Sequence, residues 1–163
     1  MIFLTVGSMF PFDRLVQAVD EMVAQKLITE TMVAQIGDGK YEPRHMTFDR
    51  YLAKPDYDQR LAEATMLIAH AGAGTIALAL QHRKPLLVVP RLGKFKEHVN
   101  DHQVVTARKY GELGHVLVAS EMSEIPAQLA ALKHFRPRSR EVRPQELARR
   151  IGVFLETLQT PGN

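Results

Sequence analysis

Short apolar runs alternate along the chain with stretches whose apolar residues recur at three- and four-residue spacing. The runs show no polar alternation, which is typical of strands that are covered on both faces of a sheet. They predict strands over residues 2–6, 32–36, 46–48, 66–69, 86–89 and 115–118. The spaced stretches predict amphipathic helices over residues 12–27, 56–64, 75–82, 97–110, 123–132 and 144–158.

Alternation of strands and helices indicates an α/β fold, a parallel sheet of about six strands with helices on both faces. The length of 163 residues is that of one ordinary domain, so we predict a single domain over residues 1–163. In such sheets ligands bind beyond the carboxyl ends of the strands. The residues that follow Val6, Ile36, Ala69 and Val89 are therefore the first candidates for a functional site.

Composition narrows the class of protein. Hydrophobic residues make up 45% and charged residues 24% of the chain, as in soluble globular proteins. The chain has no cysteine, which excludes disulfide bonds and thiolate metal sites within it. The apolar run near the N-terminus spans about five residues, far fewer than the roughly 20 of a membrane-spanning helix, and predicts a buried strand.

The net charge of +3 does not by itself indicate nucleic acid binding, but the basic residues are unevenly distributed. Residues 133–150 hold seven of them: Lys133, Arg136, Arg138, Arg140, Arg143, Arg149 and Arg150. One interpretation is a solvated loop and helix surface. The other is contact with an acidic partner or an anionic membrane, where each clustered basic residue gains about 1 kcal/mol.

The clearest candidate for chemistry is the segment from His70 to Thr75, which joins the fourth strand directly to a helix. Unpaired N–H groups and the helix dipole favour a phosphate at such a helix start. Gly72 and Gly74 allow a ligand oxygen to approach the main chain closely. A tight turn without a ligand is the alternative, and His70 contacts a phosphate or is a packed structural group. The Walker pattern is absent, which argues against a nucleotide triphosphatase.

Two other segments lie at the same edge of the predicted sheet. Gly7 and Ser8 follow the first strand and form either a second set of donors or a plain turn. Beyond the fifth strand, four side chains offer the donors and acceptors that sugar hydroxyls need, or cap a helix: Asn100, Asp101, His102 and Gln103. His98 and His102 are four residues apart, but the glutamate of a zincin motif is absent, so no metal is expected.

Four segments together resemble the C-terminal domain of glycosyltransferase family 28, a Rossmann-like half of the GT-B fold. They are IFLTVGS, IAHAGAGTIALAL, KPLLVVPR and EHVNDHQ, and the resemblance covers residues 2–118. The resemblance is close to short stand-alone members. These are the catalytic subunit of the dolichol-pathway N-acetylglucosaminyl transferase and bacterial exopolysaccharide subunits that work with a membrane-anchored partner.

The resemblance implies roles for the residues already singled out. The donor diphosphate is expected on Gly7, Ser8, His70, Gly72, Ala73, Gly74 and Thr75. The donor sugar is expected on Asn100, Asp101, His102 and Gln103. No metal or other cofactor is expected, because helix dipoles and main-chain donors stabilise the departing diphosphate in such enzymes.

The family carries a glutamate for the ribose hydroxyls in the helix after the glycine loop, and Leu78 stands at that position here. A leucine accepts no hydrogen bond. Either another group holds the ribose, or donor affinity is low, or the chain is a non-catalytic scaffold or regulatory subunit. An epimerase of the same half-fold would need two domains and catalytic carboxylates in one chain.

One GT-B half implies a second subunit. We expect a membrane-anchored partner that binds a lipid-linked saccharide acceptor and supplies the catalytic base, in exopolysaccharide synthesis. The chain would then be cytoplasmic and peripheral to the membrane through that partner, in an inverting reaction. UDP-glucuronate, UDP-galactose and UDP-N-acetylglucosamine are the candidate donors. An acidic donor would suit basic residues expected near the cleft: Arg83, Lys84, Arg91, Lys94 and Lys96.

Overall fold

The chain forms alternating strands and helices in a computed structural model that describes residues 1–139 and 144–159. The strands are β1 (Ile2–Thr5), β2 (Met32–Gln35), β3 (Thr47–Asp49), β4 (Met66–His70), β5 (Leu86–Val89) and β6 (Leu117–Val118). The helices are α1 (Asp13–Ala24), α2 (Lys54–Glu63), α3 (Ala73–Gln81), α4 (His102–Glu112), α5 (Ile125–Leu132) and α6 (Pro144–Gln159). Short 3-10 turns at Gly93–Phe95 and Met122–Glu124 precede α4 and α5.

All six strands pair in parallel in one sheet with the order β3-β2-β1-β4-β5-β6, so the predicted α/β fold class is confirmed. The chain moves outward from β1 to β3 and then returns to place β4 beside β1. Ile2 of β1 accordingly lies opposite both Met32 and Met66. The loops after β1 and β4 leave the sheet in different directions at this point, which is where open α/β sheets form a ligand crevice.

The two faces of the sheet bury separate apolar clusters, since successive side chains of a strand point to opposite faces. Leu4 of β1 belongs to one cluster with Val16 of α1 and Leu129 of α5. Phe3, the preceding residue, belongs to the other with Ile76 of α3 and Ala107 of α4. Helices therefore cover both faces of the sheet.

The predicted helix over residues 97–110 was wrong at its start, because α4 begins only at His102. Residues 93–101 instead form a 3-10 turn and an irregular loop. Glu97 is buried there and is drawn away from helical geometry by a two-point ion pair with Arg14, at 2.7 and 2.8 Å. Its second carboxylate oxygen also accepts from the Leu92 N–H at 3.0 Å. Long-range contacts outweigh the local helical pattern.

The last helix, α6, carries apolar side chains that remain exposed. Leu147 is 60%, Phe154 61% and Leu155 50% accessible. Of the basic segment noted in the sequence, Arg140 and Arg143 lie outside the described residues, as does the side chain of Leu158. Among the helices that the structure describes, none is both long and apolar enough to cross a membrane.

Candidate functional site

A cleft of about 560 Å³ opens at the carboxyl edge of the sheet, a volume in the range of small-molecule sites. It lies between the loop after β1, the loop after β4 and the loop between β5 and α4. Its lining residues are Gly7, Ser8, Met9, Phe10, His70, Gly72, Gly74, Thr75, Arg91, His98, Val99 and Gln103. None of these is acidic, so the described wall of the cleft carries no negative side chain.

The glycine loop is a short connection from β4 into α3. Helix α3 starts at Ala73, two residues earlier than predicted, with Gly72 as its N-cap. A Cβ on Gly72 would lie 2.3 Å from Nε2 of His70, whereas a Cβ on Gly74 would meet nothing within 4 Å. The two glycines therefore have different structural roles. Gly72 makes room for an imidazole, and Gly74 leaves the start of α3 open to the cleft.

His70 ends β4 and is buried, with only 9% of its surface accessible. Its Nδ1 is enclosed and has no hydrogen-bonding partner among the described residues. Burial and the positive charge of Arg91 lower the pKa of His70 to about 4, against a weak opposing hydrogen bond to the Thr5 main chain. The imidazole is thus neutral at pH 7, and its enclosed Nδ1 is a buried polar atom that the described residues leave unpaired.

The loop after β1 supplies the opposite wall through Gly7 and Ser8. Gly7 has φ of +73°, a conformation that favours glycine, and a Cβ there would lie 2.9 Å from Cε1 of His70. The His70 ring is therefore enclosed between Gly7 and Gly72. This contact brings the two glycine-containing loops to opposite sides of one side chain and sets the width of the cleft.

Arg91 directly follows Pro90 at the end of β5, and only 2% of its surface is accessible. One terminal nitrogen donates to the carbonyl oxygens of Val6 and Phe10, each at 2.5 Å, while Nε has no partner in the described residues. Burial lowers the pKa of Arg91 to about 10, and Glu97 opposes that shift. The guanidinium therefore remains charged at neutral pH and adds a buried positive charge beside the cleft.

The four side chains predicted to bind the sugar lie in two different environments. Gln103 is buried, lines the cleft and accepts the Arg91 N–H at 3.1 Å. Asn100, Asp101 and His102 are exposed and do not line it. Asn100 accepts the His102 N–H at 3.1 Å, and Asp101 accepts the Gly93 N–H at 2.6 Å. These side chains order the loop and the start of α4.

The sequence did not identify His98 as a cleft residue. Its ring packs 4.8 Å from Phe10 and 4.4 Å from His102, measured between ring centres. Burial lowers its pKa, with His102 and Arg91 acting in the same direction, and its Nδ1 has no partner in the described residues. The spacing of His98 and His102 was the available signal. Within residues 1–139 and 144–159, no group of three potential metal-ligating His, Cys, Asp or Glu side chains occurs.

The placement of Arg83 and Lys84 near the cleft was wrong. Both precede β5, at the opposite edge of the sheet, where Lys84 donates to the carbonyl oxygens of Ala62 and Ala64. A larger cavity of about 840 Å³ lies there, between the second half of α3 and residues 136–139. Its lining includes three exposed arginines, and none of its described lining residues has an unpaired buried polar atom, so we regard the smaller cleft as the candidate site.

Leu78 lies in α3, one turn beyond the glycine loop. Its side chain is half-buried and packs against the apolar cluster formed by Phe3 and Ile76. The position therefore contributes to the core and places no carboxylate beside the cleft.

Comparison with solved structures defines the class of protein as a GT-B half-domain. The crystal structure of the glycotransferase of kitacinnamycin superposes with a TM-score of 0.59 at 19% identity, over 81% of this chain and 34% of that one. The NMR solution structure of ALG13 gives a TM-score of 0.59 at 20% identity, over 88% of this chain and 91% of that one. Identities this low support the fold alone.

Sequence comparison then identifies the family. The profile of the glycosyltransferase family 28 C-terminal domain matches residues 1–152, and the chain belongs to this family. The UDP-N-acetylglucosamine transferase subunit ALG13 of Mus musculus is 30% identical over 140 residues, or 80% of this chain. The subunit of the same name from Homo sapiens is 30% identical over 124 residues. The chain spans only 12% and 10% of the lengths of these two relatives.

Proposed function

We propose that this chain is the donor-binding subunit of a two-component inverting glycosyltransferase. It transfers a sugar from a UDP-sugar to a lipid-linked acceptor in exopolysaccharide synthesis. The observation that carries the proposal is the cleft between the β1 loop and the start of α3. There, a neutral buried imidazole, a buried guanidinium and an open helix N-terminus face one cavity.

The diphosphate is placed at the start of α3. The first main-chain N–H groups of a helix are unpaired and carry partial positive charge, and both properties favour phosphate oxygens. Gly74 leaves these groups approachable, and Thr75 adds a hydroxyl. The neutral ring of His70 lines the same cleft, and Arg91 adds positive charge close by. The same groups stabilise the diphosphate as it leaves, so the reaction requires no metal.

The donor sugar is placed toward the loop between β5 and α4. Gln103 lines the cleft, while Asn100, Asp101 and His102 are exposed and lie in the chain between the lining residues Val99 and Gln103. UDP-N-acetylglucosamine is the first donor to test, because the two relatives are named as subunits of a transferase for that donor. UDP-glucuronate and UDP-galactose are the other candidate donors. Lys94 and Lys96 are exposed basic residues that lie in the chain between the cleft-lining residues Arg91 and His98.

The partner is proposed to be a membrane-anchored subunit that binds the acceptor and supplies the catalytic base. No acidic side chain lines the described wall of the cleft. Burial and Arg91 lower the pKa of His70, which makes it a weak base at neutral pH. The exposed apolar face of α6 gives a partner an area to cover, since contiguous exposed apolar side chains commonly mark interfaces. Full transfer to a lipid-linked acceptor by this chain alone would contradict the need for a partner.

The first experiment is ligand-observed NMR of the purified chain with UDP and each of the three UDP-sugars. Gly74→Ala tests the proposed position of the diphosphate. The added methyl group meets no protein atom within 4 Å, and alanine replaces a glycine inside a helix. We expect folding stability to be unchanged or about 0.5–1 kcal/mol higher and UDP binding to be at least about tenfold weaker. Wild-type binding that persists unaltered in Gly74→Ala would place the diphosphate elsewhere.

The second candidate function, a scaffold or regulatory subunit without donor binding, is favoured by Leu78. Leu78→Glu introduces a carboxylate one turn after the glycine loop, at a half-buried position that packs against the core, so its folding is first verified by thermal unfolding. If only the ribose contact is missing, we expect UDP affinity to rise by about tenfold or more, since a hydrogen bond to a charged group contributes about 1.5–3 kcal/mol. Leu78→Gln offers the same shape without the charge. No binding of UDP by wild type or Leu78→Glu would support the scaffold.

A further inference from the structure

We propose that Arg91 is a positioning residue that ties the loop after β1 to the loop after β5 and so sets the geometry of the diphosphate subsite. The inference deepens the proposed function and depends on it for the identity of the ligand. Arg91 donates from one terminal nitrogen to Val6 and Phe10, and its own N–H donates to Gln103. One residue thereby connects the loop after β1, the end of β5 and the start of α4.

The two carbonyl groups that Arg91 holds lie at either end of the turn containing Gly7, Ser8 and Met9. All three turn residues line the cleft. Within the described chain, the turn has one other main-chain hydrogen bond, from the Gly7 N–H to the Thr5 hydroxyl at 3.3 Å. Met9 is 81% accessible and contributes little packing. The position of the turn therefore depends on the bridge that Arg91 makes between its ends.

A network around Arg91 holds the guanidinium in place. Its guanidinium carbon lies 5.3 Å from the centre of the Phe12 ring. Glu97 attracts it from the same loop and is itself fixed by the two-point ion pair with Arg14. A buried cation is costly unless it is paired and hydrogen-bonded. Because Arg91 is buried, water does not replace its contacts with the carbonyl oxygens if they are removed. The arrangement joins the turn after β1 to the end of β5.

The positive charge of Arg91 also acts on the two cleft histidines. It lowers the pKa of His70 and the pKa of His98, in each case in addition to burial. Both imidazoles have an Nδ1 without a partner in the described residues. Arg91 therefore favours neutral rings in the cleft while it positions the turn that faces them.

The test compares Arg91→Met with Arg91→Lys. Methionine removes both carbonyl contacts, whereas lysine keeps the charge and has a nitrogen that is able to bridge carbonyl oxygens, as Lys84 does elsewhere. We expect Arg91→Met to weaken UDP binding by about tenfold or more, with UMP affinity changed by less than about twofold. Arg91→Lys should recover part of the UDP affinity. A role in folding alone would not separate the two nucleotides.

Lys84→Met is the matched control, because it removes a cation that bridges two main-chain carbonyls at the other edge of the sheet. It should leave the UDP-to-UMP affinity ratio unchanged. Amide NMR spectra without ligand give a second readout: Gly7, Ser8 and Met9 signals should shift or broaden in Arg91→Met and not in Lys84→Met. If Arg91→Met does not fold, Arg91→Lys is measured in the same way.

The outcomes separate this inference from the proposed function. Failure of the wild-type chain to bind UDP overturns the proposed function, and the ligand-free amide spectra still decide whether Arg91 positions the turn. Wild-type binding with equal UDP-to-UMP ratios in all variants overturns the inference alone. Unchanged amide signals of the turn in Arg91→Met would also overturn it.

Discussion

Gly72→Ala tests the packing of the glycine loop directly. Gly72 has φ of −84° and ψ of 130°, which alanine adopts without strain, so the substitution changes only the space beside the main chain. The added methyl group would lie 2.3 Å from Nε2, 2.9 Å from Cδ2 and 3.2 Å from Cε1 of His70. All three distances are shorter than ordinary contact, so the imidazole has to move.

The cost follows from what surrounds the ring. Ordinary carbon contacts begin about 1 Å further out than the shortest of these distances, and Gly7 blocks retreat on the other side. Forcing a buried side chain off its position in this way costs about 1–3 kcal/mol. For a protein of this size the melting temperature falls by about 2–4 °C per kcal/mol, so we expect a fall of between about 2 and 12 °C.

Thermal and urea unfolding monitored by circular dichroism measure the effect, with Gly74→Ala as the matched control in the same loop. A double-mutant cycle identifies the cause, because Gly72→Ala should cost little in a His70→Ala background. The expected coupling energy is about 1 kcal/mol or more. A melting temperature of Gly72→Ala within about 1 °C of wild type would refute the proposed crowding of His70. So would equal costs of the substitution in both backgrounds.

Two other predictions concern stability and pH. Burial and Arg91 lower the pKa of His70 to about 4, so stability should fall as the pH drops from about 6.5 toward 4, by up to about 3 kcal/mol. Urea titrations should show a shallower fall for His70→Asn, and parallel curves would contradict the assignment. Asp20 is buried and accepts from the Tyr41 hydroxyl and the Arg44 and His45 N–H groups, at 2.8, 3.0 and 2.7 Å. Although burial acts to raise its pKa, these bonds lower it overall, so its contribution is lost as the pH falls through the acidic range. Asp20→Ala should cost about 2–4 kcal/mol at neutral pH, whereas an unchanged urea midpoint would show that the loop over residues 40–46 needs no anchor.

Much of the candidate site could be predicted because its parts are local in sequence. Gly72, Gly74 and Thr75 follow a buried strand and open a helix, and that order of residues by itself favours a phosphate. The strands that precede Gly7 and His70 end at the same edge of any parallel sheet, so Gly7 and Ser8 are expected at that edge as well. Sequence could not indicate that Gly72 serves the His70 ring and Gly74 the cleft, because the ring is also enclosed by Gly7, which follows another strand.

The sequence by itself determined the element order and the fold class. Apolar periodicity reports which faces are buried, and unbroken apolar runs report strands that are covered on both sides. The tertiary structure alone decided the start of α4, the displacement of Arg83 and Lys84 to the far edge, and the roles of Arg91 and His98. Arg91 reaches a carbonyl 85 residues away, and Glu97 pairs with an arginine 83 residues away. Such contacts leave no periodic trace in the chain, because their energy depends on where folded strands end rather than on neighbouring residues.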